Sequence, residues 1–164
     1  MTLFLSTFQS PIGVINLISD EQVLLGANLS TVKALHQSLD EEFADRDIKE
    51  VKSIPAISDL LADYFDGDFS AINGIKVRQP GATFSQAAWK AMRKIPAGKT
   101  WSYAELADRA GSPAAVRAAG TACGRNAIVL VVPCHRIVKS GGALGNYGYG
   151  VNKKEWLLRH EGAL

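Results

Sequence analysis

SYAELADRAGSPAAVRAAGTACG, residues 102–124, reads as two short helices around a tight turn. Ser102-Tyr103-Ala104-Glu105 has capping-box form, so it opens a helix that runs to about Ala110. Gly111 turns the chain. Ser112-Pro113 then offers an N-cap and a proline at the first helical position of a helix that reaches about Gly124. Two helices joined by a glycine turn form a helix-turn-helix candidate, although ordinary cores also use helix hairpins. Arg117 lies in the first two turns of the second helix, among Ala114, Ala115, Ala118, Ala119 and Gly120. Such small neighbours let a helix approach a nucleic-acid groove, and they equally suit tight packing on another helix.

Upstream, Thr83-Phe84-Ser85-Gln86 also has capping-box form. Phe84, Ala88, Met92 and Ile95 line one face of the helix it opens, and Pro96-Ala97-Gly98 stops that helix. Downstream, Ile128–Val132 is a β-branched and Leu run, expected to be a buried strand or extended core segment, and it ends at Pro133-Cys134-His135-Arg136. A thiol at that exit is held in place. It acts as a nucleophile only as thiolate, which nearby positive charge favours. A single cysteine is usually an inert buried residue; the sequence around Cys134 argues against that, whereas Cys123, in an Ala/Gly-rich helix, keeps the inert reading. Gly141–Gly150 is a Gly-rich loop that brings Tyr147 and Tyr149 forward as possible stacking faces. Asn152–His160 reads as the last helix, with Asn152 and Glu155 as cap partners and Gly162 at the C′ position. Glu161 then sits at the negative end of the helix dipole, a misfit that suggests a partner, a histidine being one choice; an exposed glutamate is the plain alternative.

The first half reads differently. Leu3–Phe8, Val14–Ser19 and Gln22–Leu29 are β-rich, with turn signals between them. Val32–Phe43 and Ala56–Phe65 have helical spacing, and Ile75–Arg78 is a further strand candidate. His36 is expected on the surface. The chain is thus α/β (α+β): an N-terminal α+β domain over 1–82 and a helical C-terminal domain over 83–164. The net charge of +2 conceals a division. Residues 1–82 carry 6 Lys+Arg and 12 Asp+Glu, whereas residues 83–164 carry 12 and 4. A basic half suits a polyanionic partner. The 164 residues, 47% hydrophobic and with two cysteines, exclude fibrous, disordered and disulfide-framework classes. No apolar run is long enough to span a membrane, the N-terminus lacks signal-peptide form, and a reducing cytoplasm is the expected setting.

Pro133-Cys134-His135-Arg136, Gly145-Asn146-Tyr147 and Lys154–Gly162, together with Ser102-Tyr103, Arg117 and Asn126, resemble the O6-alkylguanine-DNA alkyltransferases over roughly Thr83 to Ala163. The resemblance implies a ribonuclease H-like N-terminal domain with an antiparallel sheet and a winged-helix, helix-turn-helix-like C-terminal domain. It implies Cys134 as alkyl acceptor, His135 as base acting through a water, Glu161 polarising His135, and Asn126 bracing the turn before the cysteine. Tyr103 would help rotate the target nucleotide and donate a proton to the leaving guanine. Arg117 would fill the gap left by the flipped base, with Ser102, Tyr103 and Ala118 also at the DNA. Ile137, Tyr147, Gly148 and Tyr149 would line the substrate pocket. The implied partner is double-stranded DNA containing O6-alkylguanine, bound by a monomer without membrane, metal or cofactor. Transfer would be irreversible and stoichiometric.

Some positions depart from the family pattern. Ala127 stands where relatives commonly have Pro, which suggests a less rigid turn. Gly148 replaces a Ser of some relatives. Tyr149 is bulkier than their Gly and would narrow the pocket. Residues 1–82 hold no Cys, so the zinc site of some relatives is ruled out. Two other readings are a non-enzymatic alkyl-lesion sensor, against which Cys134 argues, and a sequence-specific regulator, for which the second helix has few base-reading side chains.

Overall fold

The computed structural model describes all residues, 1–164. By its packing the chain forms two units, Met1–Pro80 with Ala127–Val131, and Gly81–Asn126 with Val132–Leu164. The short run Ala127–Val131, expected within the second half, belongs with the first.

The first unit is built on strands β1 (Thr2–Ser10), β2 (Gly13–Ser19) and β3 (Val23–Asn28), an antiparallel meander. Leu3, Leu5, Ile18 and Leu25 pack with Leu35 and Phe43 to form a core. The sheet is mixed rather than wholly antiparallel. Its order is β4-β1-β2-β3-β5, with β4 (Asp47–Glu50) parallel to β1 and β5 (Lys76–Val77) parallel to β3. β4 has no apolar alternation because all four of its residues are exposed, so only tertiary pairing defines it. Its charged side chains blunt an open sheet edge.

The helix expected over Val32–Phe43 is broken. α1 covers only Val32–Gln37. Ser38 turns its hydroxyl back onto the Leu35 carbonyl (2.7 Å), and Asp40 caps a separate 3-10 turn, Glu41–Phe43. Both side chains compete with the helical backbone, as Ser and Asp commonly do. α2 (Pro55–Phe65) follows as expected.

Ile128–Val132 is fully buried but is not a strand. A single bridge joins Ile128 to Ala27, with Ala27 N–H donating to Ala127 O (2.9 Å) and Val129 N–H to Ala27 O (3.0 Å). The chain then turns sharply. Leu130 has φ 70°, the one non-glycine residue in the left-handed region, and Val131 N–H donates to Val129 O. Burial set the composition of this run, and the turn set its backbone. Ala127 is also better held than its departure from Pro suggested: the N–H that proline would lack donates to Gln79 Oε1 at 2.8 Å.

In the second unit, α3 (Thr83–Met92), α4 (Tyr103–Arg109) and α5 (Val116–Gly124) pack on one another. Two short strands, β6 (Trp101–Ser102) and β7 (Ile137–Val138), pair in parallel, and α6 (Val151–His160) closes the unit. The capping box of α4 is present in full: Glu105 N–H donates to Ser102 Oγ and Ser102 N–H to Glu105 Oε1. The other expected caps are displaced. α3 starts one residue early, with Ala82 at the N-cap and Thr83 inside. Ser112-Pro113 lies in the turn, and α5 begins after Ala115. α6 begins after Gly150, so Asn152 is already helical and Glu155 pairs instead with Arg159.

Trp89 secures the end of α5. Its Nε1–H donates to the buried Ala122 carbonyl (2.9 Å), one of the last-turn acceptors that the helix itself leaves unpaired. Trp89→Phe is expected to lower unfolding free energy by about 1–3 kcal/mol, the usual cost of orphaning a buried polar group. Urea denaturation with an unchanged midpoint would contradict this.

Candidate active site

Cys134 is placed by a turn. Pro133 has φ −84° and ψ 66°, an inverse γ-turn that suits the fixed φ of proline. The Val132 carbonyl accepts two donors across it, Cys134 N–H (2.9 Å) and Asn126 Nδ2 (2.9 Å). The same Asn126 amide lies 3.5 Å from Cys134 Sγ and donates to the sulfur. Asn126 therefore braces the turn and touches the thiol. Cys134–Arg136 then forms a 3-10 turn that buries His135 and Arg136 completely or nearly so.

Both of these side chains meet Glu161. Arg136 donates from Nε to Oε1 (2.9 Å) and from Nη2 to Oε2 (2.8 Å), and its Nη1 donates to Ile95 O (2.7 Å). His135 Nε2 lies 2.9 Å from Glu161 Oε2. Glu161 stands at the end of α6, where Gly162 (φ 80°) reverses the chain. Gly162 N–H donates to Arg159 O and Ala163 N–H to Leu158 O, a Schellman closure. The carboxylate at the wrong end of a dipole thus has two partners, one of them a histidine.

Burial alone would raise the Glu161 pKa, but the hydrogen bonds from His135 and Arg136 outweigh it and hold the carboxyl well below the usual range. Burial lowers the His135 pKa more than Glu161 raises it, so the imidazole is neutral near pH 7. An ionised carboxylate can only accept, which assigns the ring proton to Nε2. Nδ1 then carries a lone pair, is buried, and makes no hydrogen bond within the protein. The contact with Glu161 holds that lone pair in a fixed direction. Burial pushes the Cys134 thiol up, against smaller lowering effects of the Asn126 amide, the Lys154 charge and its own backbone N–H. The thiol is therefore protonated at rest.

Tyr103 opens α4 beside the Gly-rich loop. A Cβ on Gly145 (φ 77°) would lie 3.3 Å from Tyr103 Oη, so glycine is required there both by conformation and by the phenol's approach. Burial, then the nearby Cys123 and Cys134, raise the Tyr103 pKa, so its hydroxyl stays protonated. Tyr147 and Tyr149 meet edge to face, with centroids 5.7 Å apart. Ile137 is fully buried, and Gly148 is exposed.

The structure brings Cys134, His135, Glu161 and Asn126 together, and electrostatics link Tyr103 to Cys134. Arg117 and Ala118 are exposed on the first turn of α5, and the Ser102 hydroxyl is committed to capping α4. Two residues escaped the site assignment. Arg136 is the main partner of Glu161, and Lys154 is fully buried with Nζ donating to Ile137 O (2.6 Å). Helical spacing carried a signal for the second: Lys154, Leu157, Leu158 and Glu161 share one buried face. No cluster of three or more His, Cys, Asp or Glu side chains is arranged to hold a metal.

Residues 83–163 match the family described as 6-O-methylguanine DNA methyltransferase, DNA binding domain. A methylated-DNA–protein-cysteine methyltransferase of Shigella flexneri is 38% identical over 159 residues, covering 94% of this chain and 93% of the relative. The Salmonella typhimurium protein of the same name is 47% identical over 108 residues, 66% of this chain, and the match spans 63% of that relative's length. The crystal structure of Mycobacterium tuberculosis OGT in complex with DNA superposes with a TM-score of 0.79 at 33% identity, covering 98% of this chain and 93% of that one.

Removing the Glu161 charge leaves Arg136 buried without its carboxylate. Glu161→Gln is expected to cost about 3–5 kcal/mol at pH 7. Because the folded pKa is depressed, the unfolded chain takes up the proton first as pH falls. The stabilisation is therefore full above the ordinary carboxylate range and is lost in stronger acid. Denaturant titrations across that range should show wild-type stability climbing with pH and the variant lacking this contribution; equal slopes would contradict it.

Proposed function

The chain belongs to the methylated-DNA–protein-cysteine methyltransferase family, and from that premise we propose that it repairs alkylated DNA directly, by moving the alkyl group from guanine O6 onto Cys134. The observation that carries this is a protonated thiol, fixed in a turn, whose next residue is a neutral imidazole aligned by Glu161. The substrate is O6-alkylguanine in duplex DNA, chiefly O6-methylguanine. The protein works as a monomer, in the cytoplasm, without a cofactor.

The chemistry balances. The Cys134 proton passes to His135 Nδ1 through a water. Sulfur attacks the alkyl carbon as the C–O6 bond breaks, and the electron pair leaves with the guanine oxygen. Tyr103 supplies a proton to the leaving guanine, and the His135 proton restores the balance. A thioether and an ordinary guanine result. No residue offers a route back to the thiol, so each molecule acts once.

The base must leave the stack to reach the sulfur. Unit 2 serves as the DNA-binding and alkyltransferase domain, with α4 and α5 as its helix-turn-helix within a winged-helix-like arrangement, while unit 1 is ribonuclease H-like support. Exposure of Arg117 and Ala118 on α5 supports their place at the duplex, Arg117 filling the gap behind the flipped base. Ser102 and Tyr103 meet the DNA from the start of α4. Ile137, Tyr147, Gly148 and Tyr149 surround the alkylated base. The positive charge of residues 83–164 supplies phosphate contacts that weaken with salt.

Labelled methyl groups from methylated DNA should appear on Cys134 at no more than one per chain and be lost in Cys134→Ser, as intact-mass and peptide analysis would read; DNA binding without protein methylation would instead indicate a lesion sensor. Arg117→Ala should slow repair of duplex substrate at least tenfold while changing reaction with free O6-benzylguanine little, since only the duplex requires flipping. Equal losses on both substrates would remove Arg117 from that role.

A further inference from the structure

Residues 127–131 form a loop whose two ends meet beside the cysteine turn. Asn126 stands at one end and Val132 at the other, and Asn126 Nδ2 donates to Val132 O at 2.9 Å across the gap. The same amide reaches Cys134 Sγ at 3.5 Å. One side chain makes both contacts, so its aim matters, and its aim is set by its backbone.

That backbone is held from a point 48 residues away in sequence. β3 has β2 on one edge, and two segments share the other edge in succession. β5 takes the first part: Val23 and Leu24 pair with Lys76 and Val77, and Arg78 N–H donates to Leu24 O at 3.1 Å. Ala127–Val129 takes the last part, with Ala27 N–H donating to Ala127 O and Val129 N–H to Ala27 O. This ladder uses the Ala127 carbonyl and leaves its N–H over. Gln79, the residue after Arg78, answers it: Gln79 is only 7% exposed, and its Oε1 accepts from Ala127 N–H at 2.8 Å. The N–H belongs to the planar peptide that joins Asn126 to Ala127, so holding it fixes the last backbone angle of Asn126. Proline at position 127 would have no N–H to hold.

We propose that Gln79 is a positioning residue for alkyl transfer: by accepting from the Ala127 N–H it fixes the Asn126 backbone, and through it the amide that braces the Cys134 turn and touches the sulfur. This role rests on the reading of Cys134 as the acceptor. Gln79 acts through the Asn126–Ala127 peptide. It moves no proton and forms no bond with the alkyl group.

The test uses the full chain with Gln79→Met, which keeps the length of the side chain and removes the acceptor, with Asn126→Ala, and with both. Single-turnover methyl transfer from an O6-methylguanine duplex, reaction with free O6-benzylguanine, and affinity for the duplex are measured. Gln79→Met should slow both reactions about tenfold or more, because a nucleophile displaced by a fraction of an ångström loses its alignment. Duplex affinity should stay the same, since binding does not pass through this contact. In the Asn126→Ala background the same substitution should cost less than about threefold, because residues that act through one contact are not additive. An equal fold-loss in both backgrounds, or unchanged transfer in Gln79→Met, overturns the role. Should Gln79→Met fail to fold, native-state hydrogen exchange of the unsubstituted protein decides. The Ala127 and Cys134 amides should then open together with equal protection, and an Ala127 amide that exchanges about tenfold faster or more overturns the role. Label on a residue other than Cys134 in the unsubstituted chain overturns the acceptor assignment itself, and this role falls with it.

Discussion

The Glu161 carboxylate is the contact on which the site depends. It is buried at the end of a helix, where the dipole opposes it, and it stays ionised because Arg136 covers both oxygens and His135 donates to one. Those partners are the two residues that follow Cys134. Fixing them fixes the cysteine turn, so one carboxylate from the end of α6 sets the tautomer of the imidazole and the position of the thiol. The third arm of Arg136, on the Ile95 carbonyl, ties the segment after α3 into the same knot. A bidentate guanidinium suits this better than an ammonium, which lacks the planar fork.

A second constraint comes from the opposite side of the cysteine. The Val132 carbonyl collects the Cys134 amide and the Asn126 side chain, and Pro133 holds the backbone angle that makes the first of these possible. Sulfur makes weak hydrogen bonds and aims poorly through its own contacts. Here it is aimed by its backbone. Asn126 bridges the turn and the sulfur, so the bracing group also favours the anion.

Much of this was legible because local chemistry and tertiary structure agreed. Ser102 and Glu105 cap α4 as their spacing required, and Gly162 closes α6. The misfit of Glu161 with the helix dipole correctly signalled a partner, since a buried charge cannot stand alone. What was not legible came from pairing or competition that a linear pattern does not encode. β4 has no apolar face and exists because β1 offers it an edge. Ser38 and Asp40 divide a helix whose apolar spacing continues through them. Ile128–Val132 has a strand's composition and a turn's backbone, because its β-branched side chains answer to burial whereas Leu130 answers to the reversal of the chain. Among the site residues, Arg136 was read as part of a motif rather than as the chief partner of Glu161, a contact 25 residues away in sequence.

A raised thiol pKa is compatible with the proposed role, because a single-use acceptor must avoid reacting before it meets its substrate. A thiolate standing ready at neutral pH would react with any soft electrophile or oxidant that entered, and each such event would consume the molecule without repairing a lesion. Burial keeps Cys134 protonated, while the Asn126 amide, the Lys154 charge and the backbone N–H act in the opposite direction and favour the anion. The desolvation that suppresses the resting thiolate also leaves sulfur poorly solvated when it does form, which raises its reactivity toward carbon. In the proposed reaction the same burial would guard the thiol at rest and sharpen it once an alkylated base fills the site.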